Sequence, residues 1–286
     1  MTASIALQRP IWLQVVFALV RLIVLGGGLF YFMMHAQEYL DNFHDRPLLN
    51  IAIQIGLALA AIAIYVAYGK FIERREVTEF ASPGMGREWG LGILVGVGLY
   101  SACAISLILM GYYKVEGFNP VAFALPALAL AIKSGVFEEL IFRGVLHQSV
   151  ENILGSWAGI VAASFVFGFL HLLNPAATLT GAIYISIEAG LLLSAAYMAT
   201  RRLWICIGFH MGWNFVQEGI YSGVVSGGPA EPGLLKATIE GPALWTGGSF
   251  GMEQSIFALV FCTTTGVILL MMAIRRGHIV RPIWTR

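Results

Sequence analysis

Three short patterns in the second half of the chain place side chains capable of acid–base chemistry at helical spacings. They are Phe137-Glu138-Glu139-Leu140-Ile141-Phe142-Arg143-Gly144, Phe167-Gly168-Phe169-Leu170-His171 and His210-Met211-Gly212-Trp213-Asn214. On a helix, Glu139 and Arg143 are four residues apart and share a face, with the acid N-terminal to the base, so they form an ion pair that holds helices in register. Glu138 points about 100° away from Glu139 and has no sequence-local partner. A lone carboxylate in apolar surroundings suits a general acid or base near neutral pH. Phe167 lies one turn before His171 on the same face, and His210 and Asn214, at i and i+4, can reach one point.

All of these residues sit in stretches apolar enough to cross a bilayer. An ionisable side chain at mid-membrane costs about 2.5–3.5 kcal/mol on insertion scales, which marks such residues as functional candidates. Counted from the helix ends at about 1.5 Å per residue, Glu138, His171, His210 and Asn214 come out at comparable depths of roughly 10–20 Å. They can therefore surround one water-filled cavity. Two wirings fit. In one, Glu138 deprotonates a water oriented by His171, while His210 and Asn214 donate hydrogen bonds to a developing oxyanion. In the other, Glu138, His171 and His210 ligate a Zn²⁺ whose bound water is the nucleophile. No HExxH, GxSxG or Ser/Lys arrangement is present. Both wirings lead to amide-bond hydrolysis in or beside the membrane.

Further polar residues accompany these. Glu188, in Ile185-Ser186-Ile187-Glu188-Ala189-Gly190, is expected to support the site by pairing with Arg143 or a histidine. Glu218 is one helical turn beyond Asn214 and is expected at the cavity mouth. Arg21 and Lys133 are read as snorkelling or paired. Cys103, Cys206 and Cys262 fall in apolar stretches with no CxxC spacing and read as small buried residues.

The pattern Glu138-Glu139-x-x-x-Arg143, Phe167-x-x-x-His171, His210-x-x-x-Asn214 resembles, in order and spacing, the motifs of the CAAX-processing and bacteriocin-processing (CPBP) intramembrane protease family. That family includes the endopeptidase that trims prenylated CAAX proteins and bacterial members grouped under abortive infection. The resemblance covers about Val121–Tyr221. It implies that Glu138 is the glutamate that activates water with His171, that His210 and Asn214 form the oxyanion site, and that Glu139 and Arg143 support them. It is compatible with a zinc enzyme and with a metal-independent glutamate mechanism. The implied substrate is a peptide or membrane protein, membrane-associated or lipidated.

The elements that position these residues follow from composition. Of 286 residues, 58% are hydrophobic and only 12% charged, with a mean hydropathy of +0.79. Such a surface cannot be covered with polar groups, which rules out a water-soluble domain, a disordered chain and a nucleic-acid binder. The expected architecture is all-α: one polytopic transmembrane domain over residues 1–286, with its catalytic helices in 121–221. Against a bilayer ruler of roughly 20 residues, eight spans are expected. They are Ile11–Met34, Leu48–Tyr68, Trp89–Tyr113, Val121–Val150, Trp157–Leu173, Leu179–Thr200, Leu203–Tyr221 and Met252–Ile274. The first is long enough to be a retained helix rather than a cleaved signal.

With the N-terminus in the cytoplasm, the inner side collects Arg9, Lys70, Arg74, Arg75, Arg87, Arg201, Arg202, Arg275, Arg276, Arg281 and Arg286, and the outer side only Arg46, Lys114 and Lys236. This places both termini inside, as in a bacterial inner membrane. Gly69–Glu88 reads as a charged cytoplasmic loop, and Ser222–Gly251 as the largest external loop and a partial lid. Gly92–Gly96, Gly155–Gly159 and Gly208–Gly212 are small-xxx-small pairs suited to close helix approach.

Two other classes compete. Buried acids and histidines also line proton or ion routes in transporters, but those folds show repeated halves or paired broken helices, and Ile11–Tyr113 holds no counterpart of the motifs. A non-catalytic membrane scaffold or immunity protein would bind a partner with the same residues. Cleavage of membrane peptides that depends on Glu138 separates the protease from both.

Overall fold

The computed structural model describes residues 10–40, 43 and 46–286; Arg9, counted above with the basic side, lies outside them. Helices long and apolar enough to cross a membrane are α1 (Ile11–Leu40), α2 (Pro47–Glu73), α3 (Met85–Leu109), α4 (Val121–Leu154), α5 (Ser156–Leu173) and α6 (Leu179–Thr200). The expected seventh span, α7, is shorter. It comprises Trp204–Asn214, of 11 residues, continued by Phe215–Ile220, of 6. The seventh long helix among the described residues is α8 (Ile256–Arg275). The architecture is thus an all-α polytopic membrane bundle. Large apolar side chains such as Ile23, Leu59, Leu94 and Val161 project outward, an apolar girdle that fits lipid rather than water.

The end of the third span and the content of the outer loop differ from the sequence expectation. The third span was expected to run to Tyr113, but α3 stops at Leu109. Gly111 takes φ +77°, which only glycine adopts freely, and the chain turns into strand β1 (Tyr113–Phe118). This pairs antiparallel with β2 (Leu235–Ile239), with an irregularity between Val115 and Gly117. The stretch expected as the largest external loop and a partial lid, Ser222–Gly251, therefore carries a strand and a short helix, Ala243–Thr246.

Hydrogen bonds between loops define the two ends of the bundle. At one end the Glu79 carbonyl accepts from Leu203 N at 3.1 Å, the Ala199 carbonyl from Arg276 Nη1 at 2.8 Å, and the Val280 carbonyl from Ser156 N at 3.0 Å. The α2–α3 loop, the α4–α5 and α6–α7 turns and the C-terminal tail therefore meet there. The two-stranded sheet and the α5–α6 loop lie at the other end, where Ala176 N donates to Gly227 O at 2.8 Å.

α7 is short because it is enclosed, and its glycines explain how. A Cβ on Gly92 would lie 2.3 Å from Ile205 O, and one on Gly96 2.3 Å from Phe209 O. Reciprocally, one on Gly208 would lie 2.1 Å from Trp89 O, and one on Gly212 2.5 Å from Ile93 O. Backbone therefore packs directly on backbone where α3 crosses α7, and the two small-xxx-small pairs are the two sides of one contact. The third pair is used differently: Gly155, at φ +85°, ends α4.

Wide, π-type turns interrupt the helices beside their polar residues: Arg21–Gly26, Ser134–Glu138, Leu140–His147, Ser186–Leu191 and Phe215–Ile220. Such turns shift the i→i−4 ladder and leave carbonyls available to other donors. Arg21 uses one of them. Its Nη2 donates to Gly144 O at 2.7 Å, to Tyr65 Oη at 2.6 Å and to Gln148 Oε1 at 3.0 Å. Arg21 is thus paired inside the bundle and ties α1 and α2 to α4. The three cysteines are buried and unpaired.

Candidate active site

Glu138, His171, His210 and Asn214 all line one cavity of about 420 Å³. They come from three helices, α4, α5 and α7. The wide turn Ser134–Glu138 ends at the acid pair, and its two carboxylates part ways. Glu138 keeps 21% of its side chain exposed towards the cavity, whereas Glu139 is fully buried behind it.

Glu139 and Arg143 form the expected i,i+4 pair, with Arg143 Nη1 2.8 Å from Glu139 Oε1. Arg143 Nη2 donates to Ala189 O at 2.9 Å, a carbonyl in the wide turn of α6. Its guanidinium also lies 4.6 Å from the centre of the Phe167 ring, a cation–π distance. Phe167 touches both histidines, with ring centroids 4.9 Å from His171 and 6.1 Å from His210. The aromatic of the second motif is therefore a wedge between the two imidazoles and the arginine.

The ring nitrogens are distinguished by their partners. His171 Nδ1 lies 2.7 Å from Phe167 O. A carbonyl only accepts, so Nδ1 donates to it, and in the neutral ring Nε2 is the nitrogen with the lone pair. His210 Nδ1 lies 2.8 Å from Glu139 Oε1, and its Nε2 lies 3.8 Å from Glu138 Oε2. The first is a hydrogen bond; the second leaves room for adjustment or a bridging water. Asn214 Nδ2 donates to Ser134 Oγ at 2.8 Å, and the Ser134 hydroxyl itself donates to Leu130 O at 2.9 Å. One amide N–H of Asn214 remains for a ligand.

The pairing expected for Glu188 does not occur. Arg143 is taken by Glu139 and Ala189 O, and neither oxygen of Glu188 has a hydrogen-bond partner among the described residues. The reason is the wide turn of α6, which presents the backbone of Ala189, rather than the neighbouring carboxylate, to the guanidinium. Glu188 and Glu218 both line the cavity. Sequence reasoning passed over two contributors. Ser134 shares a helix face with Glu138 at i−4, a spacing that was there to be read. Glu253, just before α8, accepts from Trp213 Nε1 at 3.0 Å and from Ser226 N at 2.6 Å. It fastens the 222–251 segment over the cavity and had no motif to announce it.

No group of three or more His, Cys, Asp or Glu side chains among the described residues is gathered as for a metal ion. Glu138, His171 and His210, the ligand set of the zinc wiring, share the cavity wall, and His210 Nε2 lies 3.8 Å from Glu138 Oε2.

An all-helical membrane bundle whose buried carboxylates and histidines meet in one cavity has the makings of a hydrolase working inside the bilayer. Residues 120–216, about a third of the chain, match the Rce1-like family model, described as type II CAAX prenyl endopeptidase Rce1-like. The match runs from the start of α4 into α7 and includes every motif residue named above. At the level of that family the chain is similar to a CAAX-type membrane protease. No curated protein and no solved structure matches the chain.

Proposed function

We propose that the protein is an intramembrane endopeptidase that hydrolyses a peptide bond of a membrane-associated or lipidated substrate with water activated by Glu138 and His171. The observation that carries this reading is the single cavity lined by Glu138, His171, His210 and Asn214 within the segment that matches the protease family. Water bound between Glu138 and the His171 Nε2 lone pair attacks the carbonyl carbon, and Glu138 takes its proton. The oxyanion accepts hydrogen bonds from Asn214 Nδ2 and from His210 Nε2. Donation from Nε2 requires a doubly protonated ring, for which Glu139 is the adjacent counterion. Collapse of the tetrahedral intermediate breaks the C–N bond, and Glu138 returns the proton to the leaving amine.

Both termini are proposed to lie in the cytoplasm, in a bacterial inner membrane. The α2–α3 loop with Arg74 and Arg75, the turn with Arg201 and Arg202, and the tail with Arg276 gather at one end of the bundle, as the positive-inside rule requires of a cytoplasmic face.

The test is mass spectrometry of membrane peptides from cells carrying wild-type protein, Glu138→Ala or His171→Ala. Each variant is expected to stay inserted and helical and to lose cleavage by roughly 10²–10⁴-fold, the usual contribution of a general base. Wild-type product levels from both variants would overturn the assignment.

A further inference from the structure

Glu188 is 2% exposed, lines the cavity, and has no donor on either carboxylate oxygen. A buried acid in this state is unusual, because buried charges are paired and buried polar groups are hydrogen-bonded. Another acid, Glu253, lines the same cavity. Glu253 accepts four hydrogen bonds, from Trp213 Nε1 at 3.0 Å, Gln217 Nε2 at 3.2 Å, Ser226 N at 2.6 Å and Ser226 Oγ at 2.9 Å. All four donors are neutral, and no cation lies within ion-pair distance of either acid among the described residues. The same imbalance holds for the whole cavity. Glu138, Glu188, Glu218, Glu231 and Glu253 line it, against Lys133, its one lysine or arginine among the described residues, and the His210 imidazolium. Arg143, the cation expected to pair with Glu188, is held behind the wall by Glu139.

We propose that the Glu188–Glu253 wall is a specificity subsite for a basic side chain, lysine or arginine, of the substrate peptide. An ammonium or guanidinium supplies the donors that Glu188 lacks and a positive charge beside it, through charge-assisted hydrogen bonds. The subsite lies in the cavity that holds Glu138, so the basic residue sits close to the scissile bond. This assignment rests on the protease reading for the identity of its ligand, but cation binding at Glu188 can be measured without any cleavage.

The experiment uses the full-length protein in lipid nanodiscs. Thermal unfolding is followed with octylammonium, a cation with a short apolar tail, and with octanol, its uncharged counterpart. Octylammonium is expected to raise the midpoint of wild-type protein and of Glu138→Gln, and octanol to leave both unmoved. In Glu188→Gln, an isosteric change, and in Glu188→Leu the octylammonium shift should vanish. A second arm compares two membrane-anchored reporter peptides that differ by lysine against norleucine beside the cleaved bond. Wild type should favour lysine in kcat/KM by roughly tenfold or more, as expected for hydrogen bonds to a charged group, and Glu188→Gln should bring the ratio near one. An equal shift with octanol, or a shift that survives in both Glu188 variants, overturns the subsite. Absence of cleavage of either reporter, with the octylammonium result intact, would instead count against the protease reading.

Discussion

His210 Nδ1 lies 2.8 Å from Glu139 Oε1, the same oxygen that accepts from Arg143 Nη1 at 2.8 Å. One fully buried carboxylate atom thus fixes the imidazole of α7 and the guanidinium of α4 together. The second acid of the pair does not face the reaction; it accepts from His210 Nδ1 and so sets where Nε2 points. Glu139→Gln keeps the shape but weakens both bonds. A hydrogen bond to a charged group contributes about 1.5–3 kcal/mol, so kcat is expected to fall roughly 10- to 100-fold with KM little changed. Steady-state kinetics on a reporter peptide check this. An unchanged kcat would show that His210 is oriented by something else.

The crossing of α3 and α7 places His210 and Asn214 through backbone contact. Gly208 and Gly212 flank His210, and a Cβ on either would meet the Trp89 or Ile93 carbonyl at 2.1 and 2.5 Å. A backbone carbonyl cannot rotate away, so Gly212→Val must push the helices apart. Overpacking costs about 1–3 kcal/mol, and the displaced α7 carries the donors with it. Gly98, also on α3, has nothing within 4 Å of its Cβ position, so Gly98→Ala should be neutral or stabilising by up to ~1 kcal/mol. Thermal unfolding in nanodiscs compares the two. Equal midpoints for both variants would remove the crossing from the account.

Much of this arrangement was legible in the residues. Apolar length located α1 to α6 and α8, and helical spacing paired Glu139 with Arg143. What spacing could not convey was the wide turns. They have no propensity signature, yet they decide which carbonyls are free for Arg21 and Arg143, and so why Glu188 is left without its expected partner. The contribution of Glu253 was hidden for another reason. It joins residues far apart in sequence, Trp213 and Ser226, across a loop whose path depends on the pairing of β1 with β2.

The α2–α3 loop carries more than topological charge. The Glu79 carboxylate accepts from Tyr65 Oη at 2.6 Å and from Arg75 Nη2 at 2.7 Å and Nη1 at 3.0 Å, while its backbone carbonyl holds the start of α7. Burial alone would raise its pKa, but the bonds and charge of Arg75, with the bond from Tyr65, hold it below the ordinary carboxylate value. A depressed folded pKa means stability that is fully present above the unfolded value of about 4.3 and is lost as pH falls through the folded value. Wild-type protein should therefore lose stability in acid below that point, and Glu79→Gln should show a flatter profile from a lower plateau. Thermal midpoints between about pH 3 and pH 7 check the sign. A steeper acid slope in the variant would contradict it.

Metal dependence gives the sharpest division between the two wirings that the motifs allow. His171 and His210 each commit Nδ1, to Phe167 O and to Glu139 Oε1, so only their Nε2 atoms are available to the cavity. With Glu138 these would be the three ligands of a catalytic zinc, which needs all three at about 2.0–2.2 Å from one point. Water activation by a carboxylate and an imidazole asks only that both line the same cavity, as Glu138 and His171 do. Dialysis of purified protein against a chelator is therefore expected to leave cleavage intact, and elemental analysis of the undialysed protein to find less than one zinc per chain. If activity is lost and zinc alone restores it, with one zinc bound per chain and none in His171→Ala, then Glu138, His171 and His210 are metal ligands. The water would then be activated by the ion, and Glu138 would no longer act as the base.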